Sequence, residues 1–449
     1  MMLKSRFINI IYITLMLLPG LFCSCSNRAY KAVAGKPLPA WEEGHLDIHS
    51  INTGRGECTF YILPDGTTML VDAGEFHTGG SKYPMVDQKP DTLIRPYKVY
   101  AAYIQNILPC SADRSSSCRS DQTSSCHFDQ ASSCHFDQTS SCHSDQTSSC
   151  HFDRAKRVEK SIDYALATHY HMDHIGRMEK DYAVSDSGYV LTGMMALYDE
   201  IPYRTLVDRS WPEYEDKKEQ KNWECFARSM SERDGMKVEK FDLGSDSQFV
   251  LVNHPEKYPD FRIRNYHVNG LVWNNGQIKD CWKGKPVKEN GASAGFLLSY
   301  GKFDWFTGGD AGNNGKVEKP TARAIGRQIE AMKGHHHMSW HTMSAEMLEI
   351  FRPQVVVNQS FYAHQPWPET MKNVLSVGVP EGQTRDVFLT NLHDSTYVDH
   401  QETLAKVKDF RGHVVIRVLP GGSCYYVYML DDNDLKFNVK TVYGPYECN

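Results

Sequence analysis

Apolar positions in the first half of the chain fall into short runs that predict strands around one helix. Residues 45–52 alternate apolar and polar as a half-buried strand does, and 58–63 with 68–71 predict a hairpin. Pro96 to Leu108 is predicted as a helix, because Pro suits a first helical position and apolar residues recur on one face. The apolar run 162–167 predicts a further buried strand.

The second half of the chain repeats this arrangement. Residues 294–300 and 303–306 predict a hairpin, 323–332 and 345–351 predict helices, and 354–357 predicts a buried strand. Strands and helices therefore alternate in two halves. This pattern favours an α/β protein built as a four-layer αβ/βα sandwich over a barrel.

The remaining segments carry weaker patterns. Residues 238–244 and 249–252 are predicted as a hairpin, and 414–418 and 425–429 as strands near the end of the sequence. Residues 214–233 are highly charged and favour a helix. We expect this helix to be solvated, because charge runs usually lie on the surface.

A dense cluster of histidine and aspartate follows the last strand of the first half. His169, His171, Asp173 and His174 lie within six positions, and residues 175–179 are expected to open a helix after them. Site residues commonly occur where a strand ends, and imidazole and carboxylate are good ligands for zinc and similar ions. The spacing suits two metals, with the first two histidines on one side of the turn and Asp173 with His174 on the other.

Other predicted strands also end in polar residues. Asp72 closes the first hairpin, where a carboxylate is well placed to hydrogen-bond a ligand histidine. Asp310 follows the second hairpin, where its carboxylate is placed to bridge two metals. Three consecutive histidines, His335 to His337, follow the helix predicted at 323–332.

The ordered set of motifs resembles the metallo-β-lactamase superfamily, and within it the metallohydrolase domain of ComEC-type DNA-uptake proteins and their free-standing relatives. The matching segments run in order along the chain: Asn52 to Glu57, Asp72-Ala73-Gly74, His169 to His174, Glu289-Asn290 with Ser293, Asp310, His336 to Ser339, and Ala363 to Pro366. Met338 stands where these relatives usually carry Gly. The resemblance implies the sandwich fold and hydrolysis by a metal-bound hydroxide on two divalent cations, Zn²⁺ or alternatively Mn²⁺.

The same resemblance implies roles for individual residues. The expected metal ligands are His169 and His171 for one cation, Asp173, His174 and His336 for the other, and Asp310 as the bridge. The expected supporting and catalytic residues are Asp72, which orients a ligand histidine, His337, which lies beside the centre, and Asp173 and His364, which take part in catalysis.

Two of these assignments leave alternatives open. His364 is expected to contact substrate or to act as an acid, and a structural surface histidine is the alternative. Many superfamily members carry a third histidine at the first metal. The candidates here are His254 and His267, and neither lies in a recognisable motif.

Composition leaves the substrate open. Apolar residues make up 41% of the 449 residues, enough for a sizeable core, and the net charge is −6. No overall basic balance points to nucleic acid, although a local basic patch is compatible with it. Three hypotheses follow: a phosphodiesterase or nuclease-like hydrolase, a hydrolase of an ester, lactone or β-lactam, and a non-catalytic surface binding protein on the same fold.

The first residues are predicted to be an export signal rather than part of the fold. Basic residues precede an apolar run that ends in Cys23-Ser24-Cys25, an order typical of a lipoprotein signal peptide. We predict a signal peptide at 1–25, lipidation at Cys25 with Cys23 as the weaker choice, and a tether at 26–44. The protein is then expected at the bacterial cell envelope, exported and anchored in the membrane by lipid.

A tandem repeat interrupts the domain predicted at 45–449. From Cys110 to Cys150 a cysteine recurs every eight residues, within a low-complexity stretch at about 110–153. These units carry few large apolar residues and cannot bury a core. We favour a disordered insertion, and metal binding by its cysteine and histidine side chains is the alternative.

Overall fold

Two nine-stranded mixed sheets, each covered by helices on its outer face, make up the protein. The computed structural model describes residues 32–77, 83–108, 161–312 and 316–449. The predicted signal peptide with Cys25, the first part of the tether and the Cys/His repeat lie outside the described residues.

The chain builds the first sheet, then the second, and returns to the first. The first six strands are β1 (Leu46–Ser50), β2 (Cys58–Ile62), β3 (Thr68–Ala73), β4 (Ile162–Leu166), β5 (Tyr203–Asp208) and β6 (Lys237–Lys240). The second sheet contains β7 (Phe261–Val268), β8 (Leu271–Asn274), β9 (Gln277–Asp280), β10 (Gly295–Tyr300), β11 (Phe303–Thr307), β12 (Ala331–Lys333), β13 (Val355–Asn358), β14 (Asp386–Leu389) and β15 (Asp409–Phe410). The last strands are β16 (His413–Val418), β17 (Cys424–Leu430) and β18 (Val439–Glu447).

The helices follow the strands in both halves. They are α1 (Pro96–Ile107), α2 (Met172–Ile175), α3 (Gly193–Glu200), α4 (Lys218–Asp234), α5 (Glu318–Ile325), α6 (Ala345–Phe351), α7 (Pro368–Ser376), α8 (Asp394–Asp399) and α9 (Gln401–Leu404). Short 3₁₀ turns cover Pro255–Lys257, Glu289–Ala292 and His335–Met338.

Each sheet combines an antiparallel part with a parallel part. The strand orders are β18-β17-β16-β1-β2-β3-β4-β5-β6 and β15-β14-β13-β12-β11-β10-β7-β8-β9. Pairing is parallel from β3 to β6 in the first sheet and from β11 to β15 in the second. Parallel strands end at a common edge, so the residues that follow them gather there.

Three apolar layers hold the sheets and helices together. Between the sheets, Tyr61 and Trp305 belong to one buried cluster, and the Trp305 indole donates a hydrogen bond to the Tyr61 hydroxyl over 3.1 Å. Helices α1, α3 and α4 pack on the outer face of the first sheet, and α5, α6 and α7 on that of the second. The predicted four-layer αβ/βα sandwich is therefore confirmed.

Helix α4 corrects the expectation that the charged segment is merely solvated. Trp223, Phe226, Ala227 and Met230 are fully buried against the first sheet. Their spacing places them on one helical face, so the charged residues cover only the other face.

Three further predictions were wrong. The helix predicted at 323–332 ends at Gly326, which has a left-handed φ of 65°, and the chain then enters β12 between β11 and β13. Residues 249–252 form no strand, because the Val252 N–H donates to the Thr67 hydroxyl instead of a ladder partner. The helix predicted to open at 175–179 is not found there, and the short helix α2 instead covers Met172–Ile175, within the histidine cluster.

In the part of the chain that the structure describes, no helix is both long and apolar enough to cross a membrane.

Candidate metal centre

The chemically distinctive segments meet at the carboxyl ends of the parallel strands. The cluster His169 to His174 follows β4, and Asp310 follows β11. The turn His335 to Met338 follows β12, which pairs in parallel with β11. Because β4 belongs to the first sheet and β11 and β12 to the second, packing of the two sheets against each other brings the two halves of the site together.

Four imidazoles surround a single carboxylate oxygen, Oδ2 of Asp310. The Nε2 atoms of His174 and His337 lie 3.2 and 3.4 Å from it, and those of His169 and His336 lie 3.8 Å from it. Asp310 is almost fully buried. One oxygen shared by imidazoles from both halves of the chain is the geometry of a bridging ligand.

The nitrogen and oxygen atoms divide into two groups around that oxygen. Nε2 of His169 lies 3.1 Å from Nδ1 of His171, and Nε2 of His337 lies 3.2 Å from Oδ2 of Asp173. Ligand atoms on a tetrahedral zinc ion are about 3.3 to 3.4 Å apart, given bond lengths of about 2.0 to 2.1 Å. Both pairs match this spacing. The cluster therefore has room for one cation on each side of Asp310.

Several of these atoms are buried but make no hydrogen bond of acceptable geometry within the described residues. They include Nε2 of His174, Nε2 of His337 and Oδ1 of Asp310. A buried polar atom without a partner is costly, and a cation would satisfy all three. Imidazole and carboxylate are also the donors that zinc and manganese accept, so the residues present fit a metal centre.

Hydrogen bonds behind the centre fix the orientation of two histidines. Oδ2 of Asp72 accepts from Nδ1 of His174 over 2.8 Å and from the Thr168 hydroxyl over 2.7 Å. Nδ1 of His337 donates to the Gln359 carbonyl over 3.0 Å. Because each Nδ1 carries the proton, Nε2 presents its lone pair to the centre. Asp72 thus has the contact that the sequence implied for it.

The three-histidine turn changes the assignment made from the sequence. His336, His337 and Met338 have left-handed φ angles of 48°, 52° and 54°, and this tight turn directs the Nε2 atoms of both His336 and His337 towards Asp310. It is His337, expected only beside the centre, that pairs with Asp173. Nε2 of His336, expected in that role, lies 3.8 Å from Oδ2 of Asp310 and 2.9 Å from the side-chain amide nitrogen of Asn290.

The other histidine candidates lie outside this cluster. His254 is exposed and faces Glu256 at 3.5 Å, and Nε2 of His267 donates to the Gly308 carbonyl over 3.3 Å. Nδ1 of His335 donates to buried Glu318 over 2.9 Å. His254, His267 and His335 thus have their nearest polar partners outside the cluster around Asp310.

His364 lies in an aromatic segment that borders the centre. Its imidazole stacks on Tyr362 with centroids 5.6 Å apart and contacts Tyr83 at 4.1 Å. Phe361, from the same segment, contacts the His337 ring at 4.6 Å. His364 is thus part of the aromatic wall beside the centre rather than of the cluster itself.

Sequence reasoning missed a buried ion pair at the centre. Nζ of Lys333 lies 2.7 Å from Oε2 of Glu57 and donates to the Gly309 carbonyl over 3.1 Å. Burial would lower the pKa of Lys333, but the Glu57 and Asp310 carboxylates raise it above its usual value. The sequence offered one signal for this pair: both residues are close to predicted site motifs. Glu57 ends the first motif, and Lys333 precedes the three-histidine turn.

Opposing electrostatic effects act on the imidazoles of the metal-free cluster. Burial lowers the pKa of His169 well below its usual value, and the nearby His174 lowers it further. Burial also lowers the pKa of His337, but the Asp310 and Asp173 carboxylates outweigh this effect and raise the pKa to about 9. The carboxylates therefore favour a positive charge beside them, which a proton supplies in the absence of a cation.

A cavity of about 590 Å³ opens beside the cluster, lined by His171, Asp173, Arg177, Lys217 and Glu289 among others. Arg209 holds both oxygens of Glu289 over 2.8 and 3.0 Å, which offsets that negative charge. Arg177 and Lys217 also line the cavity, where Arg177 lies 3.5 Å from Glu179 and Lys217 lies 2.5 Å from Glu215. A larger cavity of about 680 Å³ lies at the opposite end of β11, around Lys302 and Arg327.

Comparison with known proteins adds little beyond the architecture. No model of a known protein family matches the chain, and no curated protein matches it. Among solved structures, it is similar to CmlA, a diiron β-hydroxylase from Streptomyces venezuelae, at 11% identity and a TM-score of 0.35, covering 84% of this chain and 55% of that one. A variant of the CmlA β-hydroxylase gives 11% identity and a TM-score of 0.36, over 83% and 54% of the two chains.

A third similar structure comes from Parabacteroides distasonis and bears the name "Putative metal-dependent hydrolase". It has 13% identity and a TM-score of 0.27, covering 53% of this chain and 80% of that one. The chain spans about half the length of the CmlA proteins it matches. Structural similarities this weak do not indicate an activity, so the function is inferred from the geometry of the site.

Proposed function

We propose that this protein is a metal-dependent hydrolase that holds two divalent cations, Zn²⁺ or Mn²⁺, and acts on a phosphodiester. The observation that carries the proposal is the single Asp310 oxygen within 3.8 Å of four imidazole Nε2 atoms. Cations bound there supply a water of lowered pKa and polarise the scissile bond.

The chain's own residues divide the remaining work. His169, His171 and His336 would hold one cation, Asp173, His174 and His337 would hold the other, and Asp310 would be shared by both. Asp72 keeps His174 in the tautomer that binds metal through Nε2. The exposed side chain of His171 lies where the centre meets the cavity, so substrate enters from that side.

The cavity wall carries both signs of charge, with the basic Arg177 and Lys217 beside the acidic Asp173, Glu219 and Glu289, and the two basic side chains support an anionic substrate. Arg177 lies four residues after Asp173, and Lys217 stands at the start of α4. Arginine and lysine are the usual partners of phosphate oxygens.

Metal analysis combined with a substrate panel tests this proposal. Purified protein is assayed on bis-p-nitrophenyl phosphate, p-nitrophenyl acetate and a chromogenic β-lactam, with metal content measured on the same samples. We expect about two cations per chain and turnover of the diester. Turnover of only the ester or the lactam would show a hydrolase of that class instead of a phosphodiesterase. Folded protein that contains no metal would favour a non-catalytic binding protein.

The proposal also places the protein at the bacterial cell envelope. The order of basic, apolar and Cys23-Ser24-Cys25 residues supports export with a lipid on Cys25. Cys25→Ala should move the protein from the membrane fraction to the soluble fraction, with Cys23→Ala as the control. Retention of a processed Cys25→Ala protein in the membrane fraction would contradict the anchor.

A further inference from the structure

A buried carboxylate that belongs to none of the proposed ligands stands at the edge of the metal centre. Ligand-type atoms of Glu57, His174, Asp310 and His337 all lie within 4.8 Å of one another. Carboxylate oxygen is a good ligand for divalent cations, particularly for manganese. Glu57 therefore has the chemistry and the position of an additional ligand.

The backbone holds Glu57 in this position. Its N–H donates to the Asp173 carbonyl over 2.8 Å, and its carbonyl accepts from Gly74 N–H over 2.9 Å. Gly74 packs so closely that a Cβ there would collide with the backbone oxygen of Asp173. Glu57 is thus fixed against the ligand segment and cannot withdraw by a backbone movement.

Lys333 is the nearest basic group to the Glu57 carboxylate within the described residues, and Nδ1 of His337 follows at 3.6 Å from the same Oε2. Its Nζ lies 2.7 Å from Oε2 of Glu57 and 3.6 Å from Oδ1 of Asp310, the oxygen that does not bridge. Both partners of the pair are buried, with side-chain exposures of 4% and 1%. The Lys333 ammonium therefore lies between the Glu57 carboxylate and the Asp310 carboxylate.

Stability does not account for this pair. Removing two charges from water costs several kcal/mol per ion, and apolar side chains of similar volume are often as stable or more so. A buried lysine and glutamate at a metal centre therefore call for a functional reason.

We propose that Lys333 is a positioning residue that keeps Glu57 out of the metal centre and so limits the coordination of the cation held by Asp173, His174 and His337. The inference rests on the metal centre proposed above. By occupying Oε2 of Glu57, the ammonium leaves a coordination position for substrate. It also biases the centre towards zinc, because one more carboxylate would favour manganese.

Metal titration of a double-mutant cycle tests this inference. Zn²⁺ and Mn²⁺ are titrated separately into metal-free full-length wild type, Lys333→Met, Glu57→Gln and the double variant. Lys333→Met should raise the affinity for Mn²⁺ relative to Zn²⁺ by about ten-fold, since Glu57 is released to bind. In the Co²⁺-loaded variant the visible absorption should weaken as the coordination number rises.

The remaining corners of the cycle keep the test decisive. Glu57→Gln leaves the ammonium unpaired beside the cations and should weaken both metals about 10- to 100-fold. The double variant should recover most of that loss without any gain for Mn²⁺. If Lys333→Met does not fold, the metal affinities of Glu57→Gln and of the double variant still test the inference. A double variant that binds metal no more tightly than Glu57→Gln would overturn it.

The two proposals fail in different ways. Wild-type protein that binds no divalent cation would contradict the proposed metal centre itself. Wild type with two cations, together with a Lys333→Met variant of unchanged Zn²⁺-to-Mn²⁺ preference and unchanged Co²⁺ spectrum, would overturn only the role given to Lys333. A merely structural lysine would change thermal stability but neither of those readouts.

Discussion

Nε2 of His337 lies 3.2 Å from Oδ2 of Asp173 and 3.4 Å from Oδ2 of Asp310. The first of these carboxylates comes from the segment after β4 and the second from the segment after β11. One imidazole from the second half thus joins the ligands of both halves. Under the proposed two-cation centre, this relationship places His337 at the second cation and leaves His336 for the first.

Substitutions in the three-histidine turn should separate the two sites. His337→Ala should lower the affinity of one cation at least ten-fold and leave the other in place, because a direct ligand is lost. His336→Ala should weaken the other cation. His254→Ala, at an exposed histidine outside the cluster, is the control and should bind metal as wild type does. Equal and small losses for His336→Ala and His337→Ala, measured by metal titration, would contradict the assignment.

A buried histidine away from the centre should make stability depend on pH. Nδ1 of His413 accepts from the Asn52 N–H over 2.9 Å, and burial lowers its pKa to about 3. The unfolded chain protonates near pH 6.5 whereas the folded protein resists protonation down to about 3. Stability is therefore lost as the pH falls through this window, by about 1.4 kcal/mol per pH unit at most.

Urea unfolding of metal-free protein checks this dependence. The difference in unfolding free energy between wild type and His413→Asn should shrink as the pH falls from 6.5 towards 4. Other titrating groups are common to both proteins and cancel in the difference. A difference that stays constant across this range would show that His413 is not held neutral.

Helix α4 should contribute strongly to stability despite its charge. Trp223 is fully buried, and its indole donates to Oδ2 of Asp208 over 2.8 Å. Trp223→Ala should cost about 3 to 5 kcal/mol through the cavity it leaves. Lys221→Ala on the exposed face should stay within about 0.5 kcal/mol. Similar losses of unfolding free energy for both variants would contradict the packing of this helix.

The Cys/His repeat should be dispensable for the metal centre. The cluster around Asp310 contains imidazole and carboxylate ligands for two cations without it. Deleting residues 111–149 should therefore leave metal content unchanged, measured on protein that unfolds at the same temperature as wild type. A fall in bound metal in the deletion would show that the repeat supplies ligands.

Local patterns in the sequence were sufficient for much of the fold. The hairpin 294–300 with 303–306 and the helix 345–351 were predicted because a two-residue or 3.6-residue period is visible within a single segment. The spacing from His169 to His174 likewise pointed to metal from one short stretch. Such features depend on near neighbours in the chain and need no knowledge of tertiary contacts.

Long-range contacts were beyond this reasoning. Strand β12 has only three residues and exists because β11 and β13 pair with it on both sides. The position of His337 beside Asp173 depends on a turn of consecutive left-handed residues, and positive φ is uncommon outside glycine. The pair of Lys333 with Glu57 joins positions remote in the sequence, and no pattern connects them.

The metal content of Asp310→Ala tests the central claim most directly. Asp310 is assigned as the one residue that contacts both cations, whereas every histidine contacts a single one. Elemental analysis of folded, purified protein should find about two cations per wild-type chain and a loss at both sites in Asp310→Ala. Wild-type occupancy of both sites in Asp310→Ala, or folded wild type that binds no divalent cation, would contradict the account.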